Sequence, residues 1–276
     1  MRLTILLKQH AVLAYFVLAF ALSWSIEIPL AAAAQGWLHV SIPAALHYLA
    51  AFGPMLAAVI ITAATEGRPG LRQLFAGLVQ WRGSLGWILW ALSPIVLYGL
   101  AVIVGYATNR TWPNLTLLGA VDDLPYLGVV GALVLWLLTF GIGEELGWRG
   151  FALPRLQKNH TALTATLILG VVWAFWHLPA FFYRETYMAM GLVAGFPLLL
   201  LSIVAASIIF TWLYNSTRGS LLMVILFHAL FDFLSVSRAG GGTIVAIMSA
   251  GVMIWAVLIV ILFKPANLAQ MQKHTA

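Results

Sequence analysis

Runs of about twenty apolar residues, separated by short polar turns, recur along this chain from one end to the other. A membrane-crossing helix needs about 20 mostly apolar residues. That criterion predicts eight spans: Ala11–Ala34, Pro43–Thr65, Trp87–Thr108, Pro125–Leu146, Thr161–Phe182, Leu192–Tyr214, Ser220–Val236 and Thr243–Phe263. The turns between them are too short for a soluble domain, and no tandem repeat or low-complexity tract interrupts them. The pattern predicts an all-α polytopic membrane protein, residues 1–276 forming a single transmembrane domain. The first apolar run follows a basic start as a signal peptide does. It continues past Trp24 to Ala34 without an obvious cleavage point, so it is read as a retained span.

Two stretches depart from this rhythm. From Glu66 to Gly86, Leu71, Leu74, Phe75, Leu78, Val79 and Trp81 fall at helical spacing between Arg72 and Arg82. This predicts an amphipathic helix on the cytoplasmic surface, with a plain polar loop as the other reading. The stretch from Pro125 to Arg155 is too long for one straight span, reaching roughly 45 Å against a core of about 30 Å. Gly141, Gly143, Gly147 and Gly150 are placed to break, tilt or closely pack it, and Pro154 to end it.

Composition sharpens this picture. Of 276 residues 63% are apolar and 8% charged, against about 25% charged in soluble domains. No cysteine is present, which excludes disulfides, thiolate nucleophiles and cysteine-ligated metals. The net charge of +6 is assigned to basic cytoplasmic loops rather than to nucleic acid. With the amino terminus inside, eleven lysines and arginines, Arg149 among them, fall on inside pieces. Arg110, Arg184 and Arg238 fall outside. Both termini are therefore expected to be cytoplasmic, in an integral protein of the cell membrane.

Against this apolar background, ionisable residues inside spans are costly and mark function or a paired lock. Glu145 and Arg149 are four apart and share a helix face, while Glu144 points about 100° away. One carboxylate is thus placed for an ion pair and the other for general-base work on water. A purely structural ion lock among Glu144, Glu145 and Arg149 fits the same spacing. His228 and Asp232 are also four apart on one face. His177 lies in an aromatic run from Trp173 to Pro179, where packing alone is the commoner role for a histidine. If the turn lies near Arg155–His160, Glu144 and His177 both sit deep in the membrane, about 16–33 Å from it.

Taken together, Glu144-Glu145-x-x-x-Arg149, Trp173-x-x-x-His177 and His228-x-x-x-Asp232 resemble the motifs of the CAAX protease and bacteriocin-processing (CPBP) family of intramembrane peptidases, which includes Abi-like proteins. The resemblance spans about ninety residues, Glu144 to Asp232, and places a catalytic core at about 125–236 within the bundle. It implies eight spans and an endopeptidase acting on a membrane-associated protein or peptide, with or without a lipid. The bond cut is expected near the cytoplasmic side, and no nucleic acid is involved. It further implies Glu144 as the base that activates water, His177 as its helper, and His228 with Asp232 facing the scissile carbonyl. Glu145, Arg149 and Trp173 are supporting residues. Trp173 stands where the family usually has Phe, and the packing role of a large aromatic is expected to survive. Asp232 stands where prenyl-protein proteases often carry Asn. No cofactor is expected, although zinc at His177 and His228 is the competing physical account. A catalytically silent scaffold or immunity protein of the same fold and a proton-coupled transporter are the remaining readings.

Other residues point to architecture. Phe52-Gly53-Pro54 is expected to be a kink or close-packing point. Glu27 is expected near the outer end, finding water or Trp24, and Arg110, Asp122 and Asp123 in a solvated outer loop. Trp81, Trp87 and Trp112 are interfacial anchors.

Overall fold

The computed structural model describes residues 2–80, 84–121 and 123–276. Trp81, Arg82 and Asp122, expected in the cytoplasmic turn and the outer loop, lie outside the described residues. Every regular element among the described residues is helical. In chain order these are α1 (Arg2–Gln9), α2 (Ala11–Ala34), α3 (His47–Ala50), α4 (Gly53–Val79), α5 (Gly86–Ala91) and α6 (Ser93–Asn109). There follow α7 (Gly128–Asn159), α8 (Ala162–Trp176), α9 (Glu185–Met190), α10 (Leu192–Ser216), α11 (Leu221–Val236) and α12 (Thr243–Asn267).

Among the described residues, six helical stretches are long and apolar enough to cross a membrane: α2, Ala44–Val79, α7, Ala162–Phe182, α10 and α12. Two of the eight expected spans are shorter apolar helices, α6 with 17 residues and α11 with 16. The expected span from Trp87 splits at Leu92, because Pro94 cannot continue α5 and instead starts α6. The outer surface is apolar: Val17, Val96 and Ile261 are each more than 60% exposed. Water would not tolerate a surface of that kind, and lipid does. The chain is a polytopic membrane protein.

Within the bundle, α2 packs along α4, while α10 lies against both α8 and α12. Helix α4 extends beyond the expected span into the region read as amphipathic. It bends at Gly67, whose φ of 67° and ψ of −153° is a conformation open essentially to glycine. Beyond the bend the helix continues to Val79, burying Leu74 while Phe75 and Val79, apolar positions of the same expected face, are exposed.

Helix α7 carries the first motif and is the structural axis of the site. Its 32 residues include two π-helical stretches, Leu137–Glu144 and Trp148–Ala152. Pro154 does not end it, contrary to the sequence expectation, and the helix runs on to Asn159. The second π stretch ends two residues before Pro154 and has already shifted the hydrogen-bond register, so the missing N–H is accommodated. Wide turns of this kind are common at functional sites, and Glu144 is the last residue of the first one.

Gly143 and Gly147, one turn apart, press against the junction of α3 and α4. A Cβ on Gly147 would lie 2.5 Å from both the Pro54 carbonyl oxygen and the Tyr15 hydroxyl, and one on Gly143 would lie 2.8 Å from the Ala51 carbonyl. Small residues let helix backbones approach this closely in a membrane. Gly147→Ala is therefore expected to destabilise the fold by about 1–3 kcal/mol, read as a lower melting temperature in detergent. An unchanged melting temperature would show that the contact has slack.

Candidate functional site

Local sequence sets the end of α8. Pro179 disfavours helical geometry at the residue before it, so the α-helix stops at Trp176 and a 3₁₀ turn, Leu178–Phe182, follows. His177 thereby becomes the capping residue. Its Nδ1 lies 2.8 Å from the Trp173 carbonyl oxygen, one of the carbonyls a helix end leaves free. A carbonyl only accepts, so Nδ1 carries the proton and Nε2 keeps its lone pair.

Trp173 is the hub of the cluster. Its indole Nε1–H donates to Glu144 Oε2 at 2.7 Å. Its ring lies 5.7 Å from the His177 ring and 5.4 Å from that of His228, and the Arg149 guanidinium sits 4.5 Å above it. Phe210 of α10 covers the other side of that guanidinium at 4.7 Å. Cation–π contact of this kind offsets part of the cost of burying the charge. The packing role expected of Trp173 is present, and the hydrogen bond adds something phenylalanine lacks.

Arg149 is completely buried. It is not one of the inside loop charges that the sequence suggests, but lies inside the bundle, facing α10 and the site, because it shares a helix face with Glu145. It donates to Glu145 Oε1 at 2.9 Å and to Ser207 Oγ at 3.0 Å. The same Glu145 oxygen accepts from His228 Nδ1 at 2.8 Å. Asp232 Oδ2 stands 3.5 Å from His228 Nε2. The partner that fixes the His228 ring at Nδ1 is therefore Glu145, and Asp232 faces the opposite nitrogen. Both nitrogens face carboxylate oxygens, so the ring can present a proton on each side.

Glu144, Glu145, Arg149, Trp173, His228 and Asp232 are thus brought together by α7, α8 and α11. Their side chains are buried apart from that of Asp232, which is 25% exposed and marks the open side of the cluster. His177 joins them through Trp173 and lies within electrostatic reach of His228 and Asp232. Among the described residues, no three histidine or carboxylate side chains are grouped so as to share one metal ion.

A second polar cluster, not foreseen from the sequence, lies beside the first. Glu27 is buried and accepts from the Tyr183 hydroxyl at 3.2 Å, while the Trp24 indole donates instead to the Trp176 carbonyl at 3.0 Å. The reason is that α2 packs against the turn after His177. Burial holds the Tyr183 phenol well above its usual range, so it remains a donor. Arg184 donates to His47 Nε2 at 2.5 Å, and Asp123 lies 3.6 Å from His47 Nδ1. Half-buried Tyr187 on α9 lies within electrostatic reach of Asp232 and Glu144, and desolvation pushes its phenol up to about 12. None of these residues has a local signal, since each meets partners far away in the chain.

Residues 126–234 match the family model described as type II CAAX prenyl endopeptidase Rce1-like. The chain is also 34% identical over 100 residues to CAAX prenyl protease 2 of Methanococcus maripaludis. That similarity covers 35% of this chain and 36% of the archaeal protein. The segment 126–234, which holds the buried cluster, is thus similar to CAAX-type membrane endopeptidases, and the chain spans about a third of the length of the curated relative it matches.

Proposed function

We propose that this protein is an intramembrane endopeptidase that hydrolyses a peptide bond of a membrane-associated protein or peptide by glutamate-activated water, with its catalytic core at 125–236. The observation that carries this reading is the separation of two adjacent carboxylates. Arg149 and His228 both bind Glu145 through Oε1 and offset its charge, whereas Glu144, among the described residues, accepts at Oε2 from Trp173 and has Oε1 to offer water.

In this mechanism Glu144 takes a proton from water as the oxygen adds to the scissile carbonyl carbon. The lone pair on His177 Nε2 accepts the water's other hydrogen and orients it. The developing oxyanion accepts from His228 Nε2–H, a type of stabilisation worth roughly 3–4 kcal/mol per donor. Asp232 holds charge beside that nitrogen. Collapse breaks the C–N bond, and the proton on Glu144 passes to the leaving nitrogen, giving an amine and a carboxylic acid that then loses its proton to solvent. No metal is assigned a role.

Trp173→Phe retains the packing and removes the indole donor. It is expected to lower kcat about tenfold, the worth of one hydrogen bond to a charged group, with KM little changed. An unchanged kcat would reduce Trp173 to packing.

The reading is tested by comparing protein termini in cells with and without the chain. New termini are expected, and isolated membranes are expected to keep producing them in the presence of a chelator such as 1,10-phenanthroline. Identical termini would contradict a peptidase; loss of cleavage that returns on adding zinc would contradict the metal-free mechanism.

A further inference from the structure

A cavity of about 740 Å³ lies where α1, α2, α4 and the end of α7 meet. That volume is within the range of small-ligand sites. None of the motif residues lines it. Arg155, which does, is eleven residues beyond Glu144 on α7, roughly 15 Å by helical rise.

The polar wall of this cavity is cationic. Lys8 near the end of α1 and Lys158 in the last turn of α7 face it from two elements far apart in the chain, and His10 and His160 line it beside them. Glu66 of α4 is the carboxylate of the wall, and it is paired with Arg155. Arg155 is further fixed by donating to the Phe151 carbonyl at 3.0 Å and by lying 3.8 Å over the Phe151 ring. That pair offsets its own charge. The two lysines have no ion-pair partner among the described residues, so the cavity carries net positive charge. Lys273 brings a further ammonium close by, since it donates to the His160 carbonyl.

The other wall is apolar and leads out to lipid. Leu13 and Phe16 line the cavity, and Val17 and Phe20 continue the same face of α2 at helical spacing. Leu13 is 61% exposed and Val17 63%, on a surface suited to hydrocarbon and not to water. A free phosphate would engage the lysines and leave this stripe unused. A lipid without net charge would cover the stripe and leave the lysines unneutralised. We propose that the cavity binds an anionic glycerophospholipid, its phosphate accepting from Lys8 and Lys158 and its acyl chains lying along Leu13, Phe16, Val17 and Phe20. Basic pockets between membrane helices hold lipid headgroups by the same chemistry. The bound lipid ties the junction of α1 and α2 to the end of α7. The site stands on charge and packing alone and does not depend on the peptidase reading.

The test uses the full chain, stripped of lipid by detergent exchange, with its melting temperature followed as dioleoylphosphatidylglycerol is added. A ligand that binds the folded state raises that temperature. Phosphatidylglycerol is expected to do so saturably, whereas dioleoylphosphatidylcholine and inorganic phosphate at the same concentrations are not. In Lys8→Gln with Lys158→Gln the phosphatidylglycerol concentration at half-maximal effect is expected to rise about thirtyfold, roughly fivefold for each basic residue. Arg68→Gln with Arg72→Gln removes two exposed charges outside the cavity and is expected to leave the titration unchanged. An equal response to phosphatidylcholine would overturn charge recognition, and an equal response to inorganic phosphate would overturn the lipid. Equal losses in the two double variants would reduce the effect to diffuse attraction and overturn the site, as would no response to phosphatidylglycerol or an unchanged titration in the lysine variant.

Discussion

Glu144→Gln is expected to reduce peptide cleavage by about 10²–10⁴-fold, the usual worth of a general base, with the protein still folded. Glutamine has nearly the same shape and retains an amide oxygen to accept from Trp173 Nε1–H, which now lies 2.7 Å from the carboxylate. What it lacks is the ability to take a proton from water. Because Glu144 makes no ion pair among the described residues, its loss strands no charge paired with it there. The measurement is the initial rate on an identified substrate beside the melting temperature of the same preparation. A variant that unfolds would assign Glu144 to structure, and one that turns over normally would remove it from the mechanism.

Glu145→Gln is expected to behave in the opposite way, costing about 3–5 kcal/mol of stability, the range for breaking a buried ion pair from one side. One oxygen of Glu145 serves both Arg149 at 2.9 Å and His228 at 2.8 Å, all three being buried. Removing its charge strands a guanidinium held in place by Ser207, Trp173 and Phe210. The combined replacement Glu145→Leu with Arg149→Met is expected to recover most of the melting temperature, because apolar pairs often substitute for buried ions at little cost. Activity is expected to stay lost, since His228 no longer has a partner at Nδ1. Recovery of activity in the double variant would show that Glu145 and Arg149 are only a lock.

The contrast between these neighbours was partly legible in the sequence. Spacing of four placed Glu145 with Arg149, and spacing of one turned Glu144 away from them, because both follow from helix geometry alone. The apolar runs likewise showed a helical membrane bundle, since lipid leaves the backbone few choices. Length excess flagged 125–155, but its resolution into two π stretches did not follow from residue types. Pro154 read as a stop when the altered register ahead of it lets it pass.

What the sequence could not supply was partnership across the bundle. Glu145 and His228 are 83 residues apart, and Trp173 and Glu144 are 29 apart. Only the packing of α7, α8 and α11 makes them neighbours. Trp173 carried a signal that was open to another reading, because a ring with an N–H stood where an all-carbon ring is usual. Arg184 and His47 carried none, and their meeting arises from loops that no periodicity describes.

The account stands most directly on one comparison: protein termini in cells carrying the wild-type chain and in cells carrying Glu144→Gln, at matched membrane levels. It predicts a set of termini that appears with the wild type and disappears with the variant. The same termini persisting with Glu144→Gln would contradict glutamate-activated hydrolysis at this site.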